Sequence, residues 1–112
     1  MRGNCDTEVD QAVLACPILA DYALLAWGDR MIYATHGHIY NRQNLPPMKP
    51  GDILLNGHTH VSACEKFDDY VYMNPGSVAL PKYDTPRGYI LFNDGQFVWK
   101  TLEGKEYMRF ML

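Results

Sequence analysis

The run Ile53-Leu54-Leu55 ends in Asn56-Gly57-His58-Thr59-His60, and no other stretch constrains the chain as much. Consecutive aliphatic residues with no polar alternation read as a strand buried on both faces, as in parallel sheets. Gly57 then turns the backbone, and two imidazoles follow two positions apart. On extended backbone, residues i and i+2 point to one side. That spacing aims two neutral nitrogens at one or two metal ions. A second pair, His36-Gly37-His38, follows the apolar run Met31-Ile32-Tyr33-Ala34. All four histidines of the chain lie in these two pairs, which favours a built site over scattered core or surface histidines.

The rest of the chain reads as strand-rich with one helix. Asp6 or Thr7 caps a short helix through Val9, Val13 and Leu14 that stops before Pro17. Tyr22 to Trp27 and Arg30 to Thr35 flank Gly28-Asp29 as a hairpin. Residues 41–50 hold three prolines and little periodicity, so they form a loop with at most one helical turn. Ser62 to Lys66 and Tyr70 to Met73 pair across Asp68-Asp69, and Asn74-Pro75-Gly76-Ser77 is a turn. Gly88 to Phe92 and Gln96 to Thr101 flank Asn93-Asp94-Gly95, the clearest hairpin, and Glu106 to Met111 adds a last strand. Parallel strands ordinarily need crossover helices, and this chain has too few.

At 112 residues the chain is one domain at most, and its hydrophobic fraction of 47% can fill a core. The net charge of −3 is interspersed and leaves no basic stripe, which removes support for a nucleic-acid groove. No apolar run approaches a membrane span, and no leader pattern opens the chain. Three cysteines without Cys-x-x-Cys spacing argue against a disulfide framework and for a reducing cytoplasm.

Gly3-Asn4-Cys5-Asp6, Thr35-His36-Gly37-His38 and Gly57-His58-Thr59-His60, in that order, resemble the last three motifs of the calcineurin-like metallophosphoesterases. Asn74-Pro75-Gly76-Ser77-Val78, with Pro81-Lys82 after it, is similar to the small bacterial YfcE-type phosphodiesterase branch. The resemblance covers essentially the whole chain. It implies an α/β fold, the strand-rich C-terminal half of a four-layer αββα sandwich. The family's N-terminal βαβ half, with its Asp-x-His and Gly-Asp motifs, has no counterpart here. Residues 1–112 are thus expected to be the C-terminal part of a single phosphoesterase domain.

The resemblance also implies the roles. The family hydrolyses phosphoesters with two divalent metals that polarise the phosphoryl group and activate an attacking water. Asn4, His36 and His58 match the ligands of one metal, and His60 matches a ligand of the other. Mn²⁺ is the first expectation, with Zn²⁺, Fe²⁺ or Ni²⁺ compatible with imidazole and amide donors. Cys5 and His38 are the catalytic candidates. Many members carry histidine where Cys5 stands, and a thiol is a poor substitute for imidazolium as an acid. Small diesters with good leaving groups are therefore the expected substrates. The other reading of Cys5 is a small buried packing residue. His38 meets substrate phosphate, orients the ligand shell, or is a hydrogen-bonded structural histidine. Tyr40 and Arg42 are placed at the substrate mouth.

Two rival functions are a non-catalytic scaffold on the same fold and a cupin-like mononuclear metalloenzyme, for which His58-x-His60 and Glu65 supply the spacing. Further expectations follow for the chain alone: at most one tightly held metal, negligible diesterase activity, and homo-oligomers formed through uncovered strand edges.

Overall fold

A computed structural model describes all residues, 1–112. A short helix, α1 (Glu8–Val13), precedes eight strands: β1 (Tyr22–Trp27), β2 (Arg30–Thr35), β3 (Asp52–Leu55), β4 (Ala63–Lys66), β5 (Tyr70–Asn74), β6 (Gly88–Asn93), β7 (Gln96–Thr101) and β8 (Glu106–Met111). Five strands form a mixed sheet in the order β1-β2-β3-β5-β4, and three form an antiparallel meander, β6-β7-β8. β2, β3 and β5 run parallel, whereas the outer strands β1 and β4 run antiparallel to their neighbours.

The parallel strands lack crossover helices, contrary to the general expectation. Residues 36–51 return from β2 to β3 without a helix, and β4 itself lies on the return from β3 to β5. Buried polar contacts hold the longer crossover. Tyr33 Oη donates to the Pro47 carbonyl at 2.9 Å, and Asp52 accepts from the amides of Met31 and Lys49. Met48 packs on the cluster of Tyr33, Leu54 and Tyr72. Side chains and loop backbone thus do what a helix does elsewhere: they cover one face and satisfy its polar groups.

Strand alternation divides the core. Ile32, Ile53, Val71 and Met73 project from the mixed sheet onto Phe97 and Trp99 of the meander, while Tyr33, Leu54 and Tyr72 face the opposite side. Trp99 is fully buried, and its indole N–H donates to the Asn74 carbonyl at 2.8 Å. That bond ties the meander to the C-terminal end of β5. The parallel strands β2, β3 and β5 all end at the same edge, and the motif segments His36–His38, Gly57–His60 and Pro75–Leu80 emerge there. Open α/β sheets generally carry their sites outside the carboxyl ends of parallel strands.

Candidate metal centre

Asn4, His36 and His58 converge at this edge. His36 Nε2 lies 2.8 Å from Asn4 Oδ1 and 3.1 Å from His58 Nδ1. His36 Nε2 therefore has a polar atom from each of two other chain segments within hydrogen-bond distance. His60 lines the same cavity, together with Cys5 and Asp6. Its Nδ1 lies 2.8 Å from the Leu80 carbonyl, which can only accept, so Nδ1 carries the proton and Nε2 keeps its lone pair. A metal-ligating imidazole typically has its second nitrogen anchored in this manner. Leu80 is fixed in turn, its amide bonded to Ser77 Oγ and the carbonyls before it to Arg87.

The sequence makes this packing possible through two glycines. A Cβ at Gly3 would stand 3.3 Å from both His36 Nδ1 and Asp6 Oδ2. Gly37 has φ +113°, and a Cβ there would lie 3.2 Å from that of His58. The His58-Thr59-His60 segment is not extended, which corrects the geometry read from its spacing. His58 (φ +35°) and His60 (φ +62°) both sit in left-handed conformations. Non-glycine residues adopt these at a cost of order 1–3 kcal/mol, and such strain clusters at functional sites. The two rings are brought to one cavity by a tight turn, not by pleat alternation.

Buried asparagines hold that turn. Asn74 Nδ2 donates to the Gly57 carbonyl at 2.7 Å and to Thr59 Oγ1 at 3.0 Å, while Asn74 Oδ1 accepts from the Gly76 amide. Asn56 Nδ2 donates to Thr35 Oγ1 at 2.6 Å and reaches the Tyr40 carbonyl at 3.3 Å. Neither asparagine stands out as a site residue in the sequence. The available signals are a polar residue closing a buried strand, at Asn56, and the Asn-Pro-Gly-Ser turn, at Asn74.

Burial, then the neighbouring imidazoles of His58 and His38, pushes His36 below the ordinary histidine pKa, and Asp6 opposes them. A neutral His36 keeps a lone pair free for a cation. Donors 2.0–2.2 Å from a common ion stand about 3 Å apart, close to the observed spacings, so the donors fit one cation. No three His, Cys, Asp or Glu side chains gather closely enough to hold a metal, because the third donor is an amide and no carboxylate joins the set.

The other candidates separate. Cys5 is exposed and lines the cavity, so the buried-packing reading fails. His38 Nδ1 is buried without a hydrogen-bond partner, which removes the hydrogen-bonded structural reading for that nitrogen. Arg42 and His38 line an adjacent cavity that touches the first at His58. Tyr40 lines neither, contrary to expectation. Its ring packs edge-on against Tyr22 at 5.5 Å, and its carbonyl is the part that the loop uses. Glu65 accepts from Arg42 at 3.0 Å on the surface and does not join the histidines, which overturns the cupin-like ligand set.

Comparison with known proteins identifies the family. Residues 1–94 match the family model described as the calcineurin-like phosphoesterase superfamily domain. The chain is 41% identical over 95 residues to phosphodiesterase YfcE of Escherichia coli K12, covering 84% of this chain and 52% of that protein. It is 30% identical over 98 residues to the probable metallophosphoesterase YsnB of Bacillus subtilis 168, covering 81% and 53%. The solved structure of the E. coli YfcE phosphoesterase superposes with a TM-score of 0.91 at 31% identity, over 99% of this chain and 63% of that one. A conserved uncharacterized protein of Streptococcus pneumoniae TIGR4 shares the fold at a TM-score of 0.60 and 19% identity. The chain spans about half the length of the curated relatives it matches. The matches give the share covered and not its place, so they do not bear out the C-terminal position. Motifs, fold and matches converge on one assignment: the chain belongs to the calcineurin-like phosphoesterase superfamily.

Proposed function

We propose that this protein acts in divalent-metal-dependent hydrolysis of a small phosphodiester, with residues 1–112 forming part of a single phosphoesterase domain. The observation that carries the reading is the convergence of Asn4 Oδ1 and His58 Nδ1 on His36 Nε2, at 2.8 and 3.1 Å. These three hold one cation, and His60 offers its free Nε2 beside them. Mn²⁺ is the first choice by resemblance to the family, and Zn²⁺, Fe²⁺ and Ni²⁺ are equally compatible with the imidazole and amide donors. A bound cation supplies Lewis acidity to the phosphoryl oxygens and acidifies a water. The chain's own residues orient and desolvate. Asn74 fixes the His58 turn, the Leu80 carbonyl fixes the His60 tautomer, and the exposed Cys5 thiol borders the cavity without providing a strong acid. Diesters with good leaving groups therefore suit the site best. A pure scaffold gives no reason for three donors to meet at this spacing.

The test is metal analysis after equilibrium dialysis against Mn²⁺ or Zn²⁺, alongside turnover of bis(p-nitrophenyl) phosphate. We expect at most one tightly held cation per chain, lost in His58→Ala, and negligible turnover by the chain alone, because no carboxylate completes the ligand set. Two tightly held cations per unsubstituted 112-residue chain, turnover that survives a chelator, or a His58→Ala variant that binds metal unchanged would contradict this reading.

A further inference from the structure

The adjacent cavity, of about 260 Å³, lies across His58 from the converging donors. Its walls include His38, Arg42, Gln43, Thr59 and Tyr72. The Arg42 guanidinium carbon stands 4.6 Å from the Tyr72 ring centroid, so the cation covers that aromatic face. Arg42 Nη1 donates to both carboxylate oxygens of Glu65, at 3.2 and 3.0 Å. Its Nε and Nη2 make no hydrogen bond to the protein, so directed donors remain. The wall is preformed. Thr35 and Asn56 bind the Tyr40 carbonyl, and Asn41 bonds the Gly37 carbonyl and the amides of Gln43 and Asn44.

We propose that this cavity is the leaving-group subsite and that it takes a neutral, hydroxyl-rich moiety of the glycerol or sugar kind, read by Arg42, with Glu65 and Tyr72 as the positioning residues. The inference rests on the phosphodiesterase reading, which places the phosphate on the other side of His58. Three observations select the ligand class. Glu65 offsets the charge of Arg42, and no other Lys, Arg, Asp or Glu lines the cavity, so a second phosphate gains little there. Tyr72 is the sole aromatic ring in the wall besides the imidazoles, and Arg42 occupies its face, so an aryl group or nucleobase finds no free stacking surface. The fixed guanidinium, Thr59 and Gln43 instead offer several hydrogen-bonding positions around a space that fits a few carbon atoms with their hydroxyls.

Calorimetric titration of the Zn²⁺-loaded chain with three diesters tests the proposal: dimethyl phosphate, diphenyl phosphate and glycerophosphoglycerol. We expect glycerophosphoglycerol to bind about tenfold more tightly than dimethyl phosphate, the gain of one to two directed hydrogen bonds. Diphenyl phosphate should gain nothing over dimethyl phosphate. Arg42→Met, which keeps the stem and removes the donors, should erase the tenfold difference. Glu65→Gln should reduce it, because the guanidinium is then no longer held over Tyr72. Both side chains are partly exposed, and circular dichroism confirms that the variants are folded. Equal affinity for the three diesters, or a preference that survives Arg42→Met, overturns the subsite while leaving the phosphodiesterase reading intact. Failure of dimethyl phosphate to bind at all overturns both.

Discussion

Asn74 shows how much one side chain can carry. It is fully buried, and its amide serves the Gly57 carbonyl and Thr59 Oγ1 while its carbonyl oxygen holds the Gly76 amide. Its backbone carbonyl accepts from Trp99. Removing the side-chain amide leaves the part-buried Gly57 carbonyl, Thr59 Oγ1 and Gly76 amide without this partner, at about 1–3 kcal/mol in total. Asn74→Ala should therefore lower stability by about 2 kcal/mol in urea unfolding, with an unchanged m-value. Asn74→Asp should cost more, because it sets a carboxylate against the Gly57 carbonyl without a donor between them. A loss below about 0.5 kcal/mol for both would mean that the His58 turn is held by something else. The histidines and Asn4 are legible in the sequence because their chemistry is carried by residue type and order. Asn74 and Asn56 are not, because what they satisfy lies 15 to 21 residues away.

Among the elements, α1 rests on its cap. None of its six residues is buried, and Val9 and Val13 face solvent. Thr7 and Asp10 form a reciprocal capping box, with Asp10 Oδ2 accepting from the Thr7 amide at 2.8 Å. The side-chain bond from Thr7, then the backbone bond, lowers the Asp10 pKa below its ordinary value of 3.8. A depressed folded pKa stabilises the form present at higher pH. The contribution is complete above 3.8 and is lost as pH falls through the lower folded value. The Thr7 amide resonance should titrate with a midpoint below 3.8, and Asp10→Asn should flatten that curve. A midpoint at or above 3.8 would contradict the cap as the source of the shift. The helix and strands themselves are legible, since periodicity and turn chemistry are local. Their pairing is less so. β2 and β3 lie parallel across a helix-free return because side chains of the loop and the strands, Met48 with Tyr33 and Leu54, cover that face.

At the scale of the molecule the core is thin. Only 17 of 112 residues are buried, and all six residues of the edge strand β1 are exposed, with Leu24 at 48% and Leu25 at 49%. An open apolar groove of about 370 Å³, lined by Ala34, Leu55, Tyr89, Ile90 and Phe92 among others, lies between the two sheets. Unpaired strand edges beside apolar surface favour association. Sedimentation at micromolar concentration should show a dimer or larger species, and Leu24→Lys on β1 should shift it toward monomer. A stable monomer throughout would remove these surfaces as drivers of association. No helix of the chain is long and apolar enough to cross a membrane.

The order of residues along the chain determined the strand and helix segments, the two histidine pairs, the asparagine that joins them and the family they indicate, because each depends on side-chain type and short-range spacing. The fold alone settled the rest. Asn4 meets His36 across 32 positions and His36 meets His58 across 22, contacts that exist only once β2 and β3 lie side by side. The left-handed turn at His58 and His60 depends on Asn74 reaching back from the next parallel strand. The engagement of Arg42 by Glu65 and Tyr72, and the packing of Tyr40 against Tyr22, likewise follow from which strands are neighbours. Local propensity cannot specify such pairs, since each is fixed by the burial and hydrogen-bond demands of the assembled sheets.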